Sequence, residues 1–226
     1  MIPITYVCFL FQPPPGMHSW ARAYDPSWVN KLYNGIKRNT SDPYPHFVCF
    51  TDKTYRFDED ILPVRLKDPE AGFGCLAEAW RGDYTAERRV CVLGLDTIIL
   101  GNIDEIMQTE LPSGIGLLRD PYVPNQVGNM VGLYDESACG MLWNLWQLNS
   151  DMTDQNFLRS LVGVVGATLL NDKYPGEILS YKVDLRGGRW GGSEGDKEKL
   201  KILYFHGNPK PHEVVEKSPW LKENWI

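Results

Sequence analysis

At 226 residues, with 43% hydrophobic and 12% aromatic content, the chain can bury a substantial core, and one domain spanning 1–226 is expected rather than two. A formal net charge of -6 argues against a nucleic-acid surface, which needs a clustered excess of Lys and Arg. No apolar run approaches the roughly 20 residues that span a bilayer, the opening M-I-P-I-T-Y-V-C-F-L-F lacks a basic leader, and five cysteines without a C-x-x-C pair fit a reducing compartment. A cytoplasmic setting and a small partner are therefore expected.

In chain order, Ile4 to Phe11 is apolar enough for an inner strand, and Q-P-P-P-G (Gln12 to Gly16) must leave regular structure, because proline removes donors and fixes φ. From Asp25, D-P-S-W-V-N-K-L-Y-N-G-I-K-R-N offers an acidic N-cap, proline at the first helical position, and Trp28, Val29, Leu32, Tyr33 and Ile36 on one face; this predicts a helix. Strands are expected at His46 to Phe50 and Ile61 to Leu66, a helix around Leu76 to Trp80, and a buried strand at Val90 to Leu93. Further strands are expected at Gly114 to Leu118, Gln126 to Leu133 and Lys201 to Phe205, with a capped helix over Thr153 to Leu161 and a mobile glycine-rich loop over Gly187 to Gly195. The alternation predicts a three-layer α/β domain with mostly parallel strands and a strand-rich second half.

The most informative segment is R-V-C-V-L-G-L-D-T-I-I-L-G-N-I-D-E-I, from Arg89 to Ile106. A short β-branched run that meets an acid fits a central strand ending at a site, because ligands of such sheets collect at the carboxyl ends of the strands. Asp96 would sit there. A second apolar run ends in Y-F-H-G-N-P-K-P-H-E, Tyr204 to Glu213, where a glycine permits close backbone approach to a ligand. Each residue also has a plain structural reading: Asp96 as a turn acid, His206 as a core or rim histidine, Asp154 as a first-turn helix acid after the cap Thr153.

The segment L-G-L-D-T-I-I-L-G-N-I-D-E-I resembles the metal-binding segment of GT-A nucleotide-sugar glycosyltransferases, especially the glycogenin-like family 8, where D-x-D-T precedes a similar N-I-D-E/D. Asp96 matches the second acid, and the first falls on Gly94. The closing motif of that family, H-x-x-G-x-x-K-P, is similar to the second run: Gly207, Lys210 and Pro211 keep its spacing, Tyr204 stands at the histidine position, and His206 precedes Gly207 as in F-H-G-x-P-K-P-H of related bacterial members. The resemblance implies a three-layer GT-A fold with a mostly parallel mixed sheet, a donor half at about 1–110 and an acceptor half at about 111–226. It also implies Asp96 and His206 as metal ligands, with Gly207 and Lys210 on the diphosphate. Asp154 and Gln155 would stand near the reacting carbon, Asp52 at the nucleoside, and Tyr6 or another early aromatic stacked on the base. With two protein ligands, Mn²⁺ or Mg²⁺ would be weakly bound. A basic residue expected before the Asp96 strand has Arg81 as its nearest substitute, and L-S-Y-K (Leu179 to Lys182) matches bacterial members without an assignable role.

Two functions from different classes follow. The first is an enzyme moving a hexose from a nucleotide diphosphate sugar, a UDP-sugar by resemblance, to a hydroxyl acceptor with retention. The second is a non-catalytic nucleotide-sugar or glycan-binding module that has lost the first metal-binding acid at Gly94. A nucleotidyltransferase is disfavoured, because its glycine-rich basic phosphate loop near the N-terminus has no counterpart in Q-P-P-P-G.

Overall fold

The computed structural model describes residues 1–13, 24–84, 88–149, 151–189 and 194–226. Strand β1 (Ile4–Leu10) is followed by helix α1 (Pro26–Arg38), β2 (His46–Thr51) and β3 (Leu62–Arg65). Next come β4 (Arg89–Leu93), β5 (Thr97–Ile99), α2 (Asp104–Met107), β6 (Ile115–Arg119) and β7 (Val127–Tyr134). After α3 (Glu136–Trp146) and α4 (Asp154–Val165) come β8 (Thr168–Leu169), α5 (Leu170–Lys173), β9 (Ile178–Ser180), β10 (Ile202–Tyr204), α6 (Pro211–Val214) and α7 (Pro219–Lys222).

Seven strands form the central sheet in the order β3-β2-β1-β4-β7-β6-β8, in which β7 runs antiparallel to both neighbours and the remaining pairs are parallel. Alternation along the strands sends side chains to two cores. Tyr6, Cys8 and Leu10 of β1 face the layer of α1, which buries the predicted stripe Trp28, Val29, Leu32, Tyr33 and Ile36. Val7 and Phe9 face the other layer, built from α3, α4 and a run of 3-10 turns over Pro69–Trp80. Helices on both faces of a mostly parallel sheet make the expected three-layer α/β architecture.

A second, three-stranded sheet has the order β5-β10-β9. One face of it (Ile99, Ile178, Ile202) joins the α1 core, while the other (Ile98, Leu179, Leu203) packs under Val215 and Leu221. The strand expected at Lys201 to Phe205 therefore exists, but in this second sheet, where its register sets Tyr204 opposite Thr97.

Two expectations need correction. The helix expected at Leu76 to Trp80 is a longer 3-10 run starting at Pro69, broken at Gly72, whose φ of 60° lies in the left-handed region that glycine tolerates. Helix α3 was not anticipated, although its buried Ala138, Cys139, Leu142 and Trp146 have helical spacing. The loops expected at Gln12–Gly16 and Gly187–Gly195 lie partly outside the described residues.

The start of α1 follows the sequence signal closely. Asp25 Oδ1 accepts the Ser27 amide at 2.8 Å and its hydroxyl at 2.5 Å, and Pro26 occupies the first helical position. Replacing Asp25 by Ala removes that cap and a favourable charge at the helix N-terminus, so Asp25→Ala should destabilise the fold by about 1 kcal/mol. Urea denaturation of parent and variant measures this; equal midpoints would show that Pro26 alone sets the helix start.

Candidate active site

The carboxyl ends of β1 and β4 open into a cavity of about 490 Å³, within the range of small-molecule sites. After β4 the chain turns sharply: the Thr97 amide donates to the Gly94 carbonyl at 3.1 Å, so Leu95 and Asp96 are the central residues of a turn rather than part of an extended strand. Strand β10 arrives beside this turn, and the Phe205 amide donates to the Asp96 carbonyl at 3.1 Å. Its continuation turns at Gly207, whose φ of 62° again requires glycine, and returns Lys210 to the cavity floor at the start of α6. Glu213 Oε2 accepts the Lys210 amide at 2.5 Å and fixes that start.

The Lys210 side chain is 2% exposed, and its ammonium is ion-paired with Asp96 Oδ2. The Tyr24 hydroxyl donates to the same oxygen at 2.9 Å, and the Lys210 ammonium lies 5.5 Å from the centre of the Tyr24 ring. Burial and, after it, the neighbouring Asp96 charge push the Tyr24 phenol far above its ordinary pKa, so it stays a donor. Lysine is almost never buried without such a partner.

A second polar group faces the cavity from β7 and α4. Because β7 is antiparallel, with Val131 opposite Leu93, its early residue Asn129 comes to the same edge of the sheet. Asp154 begins α4 after the N-cap Thr153 and is 6% exposed; Asn129 Nδ2 donates to its Oδ2. The Gln155 amide is oriented so that its nitrogen donates to Asn129 Oδ1 at 3.0 Å and its oxygen accepts from Arg159 Nη1 at 3.3 Å, while Arg159 pairs with Asp120 at 2.5 Å. Burial pushes the Asp154 carboxyl up to about 7, against the smaller opposing effect of its hydrogen bonds.

The structure thus brings Asp96, Asp154, Gln155, His206, Gly207 and Lys210 to one cavity. Tyr6 does not join them: it lies on the opposite face of β1 from Val7 and Phe9 and lines a separate cavity of about 240 Å³ with Thr40 and Asp104. Its alternation along the strand, unseen when only its aromatic character is considered, turns its ring away from this cavity, whereas the other early aromatics Phe9 and Phe11 line it. Asp52 follows β2 near the same sheet edge but outside the cavity lining, and its carboxylate accepts from the Gln12 amide at 3.1 Å and the Tyr55 hydroxyl at 3.0 Å. Arg81 is buried against Glu78 and the Arg65 carbonyl, away from the cavity.

His206 is half-buried, and its Nε2 shares a 2.7 Å hydrogen bond with Ser180 Oγ. Burial first, and the nearby Lys182 ammonium second, hold its pKa below the ordinary value. Ser180 and Lys182 belong to L-S-Y-K, the segment to which sequence alone assigned no role. Tyr24 and Asn129 were missed as well. Asn129 carried a faint signal, as an amide within the otherwise apolar and glycine-rich run V-G-N-M-V-G-L-Y.

The expected Mn²⁺ or Mg²⁺ site can be tested against these donors. Asp96 Oδ2 is taken by an ammonium and a phenol, His206 Nε2 by a serine, and position 94 supplies no side chain. Among the described residues no group of three or more His, Cys, Asp or Glu could hold a metal ion. Hard cations want six or more oxygen ligands without an ammonium among them, so these residues do not fit a resident divalent cation. The buried Thr97 hydroxyl, on the cavity wall, has no hydrogen-bond partner among the described residues.

Comparison of the fold with solved structures gives consistent neighbours. The glycosyltransferase GlyE of Streptococcus pneumoniae TIGR4 superposes with a TM-score of 0.66 at 13% identity, over 99% of this chain and 63% of GlyE. The fold is GT-A. The galactosyltransferase LgtC, solved with donor and acceptor sugar analogs, gives 0.63 at 10% identity over 98% of this chain and 96% of LgtC. The bifunctional glycosyltransferase WbbM gives 0.62 at 10% identity, over 99% of this chain and 51% of WbbM. This chain therefore spans less than two thirds of the GlyE length. No protein-family model matches the sequence, and no curated protein matches it.

The raised Asp154 carboxyl makes a prediction about stability. A folded-state titration near 7, above the unfolded carboxylate value of about 3.9, means that the fold favours the neutral acid; its contribution is full below about pH 4 and is lost as pH rises through about 7. Asn cannot titrate. The stability of the parent relative to Asp154→Asn should thus fall between pH 4 and pH 8 by on the order of 4 kcal/mol, at about 1.4 kcal/mol for each pH unit between the two titration points. Denaturant melts across that range measure it, and a constant difference would show that Asp154 is ionised normally.

Proposed function

We propose that this chain transfers a hexose from a nucleoside-diphosphate sugar, a UDP-sugar, to a hydroxyl acceptor, with retention at the anomeric carbon. The observation that carries the reading is the buried Lys210 ammonium, fixed on the floor of a cavity at the carboxyl edge of a GT-A sheet. Such a cation is matched to the charge that develops when the bond from the anomeric carbon to the diphosphate breaks and the electron pair departs with the diphosphate. The sugar would lie toward Asp154 and Gln155, which meet the cavity from the start of α4. As the acceptor oxygen bonds to the anomeric carbon it gives up its proton, and Asp154, titrating near 7, is placed to take it.

Support also comes from Gly207 and Lys210, which keep the spacing of the closing motif and meet at one turn, and from the glycosyltransferases that share the fold. Slow hydrolysis or transfer of a UDP-sugar separates an enzyme from a binding module, because both would bind the donor.

Thermal shift with UDP, GDP, ADP and CDP tests the donor site. A ligand at about 100 times its dissociation constant adds about 2.7 kcal/mol of apparent stability, and no stabilisation by any of them at millimolar concentration, either in EDTA or in Mn²⁺, would overturn the reading. Lys210→Met should weaken UDP binding by on the order of 1.5 to 3 kcal/mol, roughly tenfold or more, while leaving uridine binding unchanged. Calorimetry with both ligands reads the difference; equal UDP affinity in parent and variant would place Lys210 outside the diphosphate site.

A further inference from the structure

The disagreement between the metal-binding sequence pattern and the donors present has its own chemistry. We infer that the Lys210 ammonium, positioned by Asp96, takes the place of a divalent cation in this site, so that the nucleoside diphosphate binds without metal. The inference rests on the donor-site reading proposed above.

Charge counting supports it. Two carboxylates hold a divalent cation at zero formal charge, whereas the one carboxylate present here, Asp96, is already neutralised by one ammonium. Lys210 stands where the closing motif has its lysine, so the departure from the pattern is the missing first acid at Gly94; with one carboxylate left and the ammonium paired to it, the cavity floor is neutral before the ligand arrives. Geometry shows that the missing acid belongs to the same place as the ion pair: a Cβ built on Gly94 would lie 2.8 Å from Asp96 Oδ1, the carboxylate whose other oxygen holds Lys210. A divalent cation added to the neutral pair would have to displace the ammonium or sit against its charge.

Asp96 then has a different task from ligating a metal. The Tyr24 hydroxyl and the Lys210 ammonium converge on its Oδ2, so Asp96 orients the ammonium and compensates its burial. It is a positioning residue. The ammonium supplies charge-assisted N–H donors to diphosphate oxygens, in a cavity where water no longer screens them. Thr97, whose buried hydroxyl has no hydrogen-bond partner among the described residues, adds a polar group on the same wall.

The test is calorimetry on the full chain with UDP, and with GDP, ADP and CDP in parallel, in excess EDTA and in Mn²⁺. The expected result is the same dissociation constant in both buffers, within about twofold. Binding that disappears in EDTA and returns with Mn²⁺ overturns the inference while leaving the donor site standing; no binding in either buffer overturns the donor-site reading and this inference with it. Two variants sharpen the answer. Asp96→Asn should weaken UDP binding by about tenfold, the effect of one misplaced charged contact, equally in both buffers and without change for uridine. Loss confined to the Mn²⁺ buffer would make Asp96 a metal ligand after all. Gly94→Asp adds a charge to a neutral floor, so its UDP binding should weaken in EDTA and recover with Mn²⁺, and a folded variant indifferent to Mn²⁺ would overturn the charge-balance argument.

Discussion

The architecture around the cavity is organised by one buried ion pair. An ammonium cannot be left in a protein interior without compensation, and removing one partner of such a pair typically costs about 3–5 kcal/mol. Asp96 and Lys210 lie far apart in sequence, so the chain must bring them together by tertiary means. It does so with the second sheet: β10 pairs with β5, the register sets Tyr204 against Thr97, and the Phe205 amide bonds the Asp96 carbonyl. Gly207 then turns the chain in a left-handed conformation so that Lys210 returns to the carboxylate. Each step is a single pairing or turn, and together they bury a charge on the cavity wall.

The cost of that arrangement also explains which parts of the sequence were readable. Wherever a local rule acts alone, residues announced their structure: Asp25-Pro26 began a helix, five apolar residues at helical spacing became its buried face, and β1, β2, β4, β6 and β7 fell where short apolar runs lay between turn residues. The 3-10 run at Pro69–Trp80 obeyed no such rule, because Gly72 adopts a conformation that no helical period encodes. Nor could the split into two sheets be read from Lys201 to Phe205, since a strand's partner is chosen by the packing of Ile202 and Leu203 on opposite cores and not by its own residues.

The site was legible to the extent that it sits on strand ends and helix starts. Asp96 and His206 with Gly207 were marked by an apolar run that meets polar or glycine residues, Asp154 by the helix cap Thr153, and Gln155 and Lys210 by resemblance to the family motifs alone; the fold collects all six. Tyr6 shows the limit of that approach, because the same strand that sends Phe9 to the cavity sends Tyr6 to the other face. Tyr24 and Asn129 show the complementary limit. Both touch the cavity carboxylates from segments distant in sequence, and an interaction created only by antiparallel pairing or by helix packing leaves no pattern along the chain.

The two carboxylates in the cavity are held in different electrical states, and that difference has a mechanistic consequence. Asp96 is balanced by an ammonium and a phenol, whereas Asp154 is balanced by neutral amide donors and is pushed up to about 7 by burial. Below that point the cavity is close to neutral, and above it a negative charge faces any anionic ligand on the Lys210 side. In a poorly screened space the two are coupled: a diphosphate raises the cost of ionising Asp154, and an ionised Asp154 weakens the hold on the diphosphate. In the reaction proposed above, departure of the diphosphate and release of the Asp154 proton would therefore favour one another, so the event that empties one pole of the cavity would reset the other.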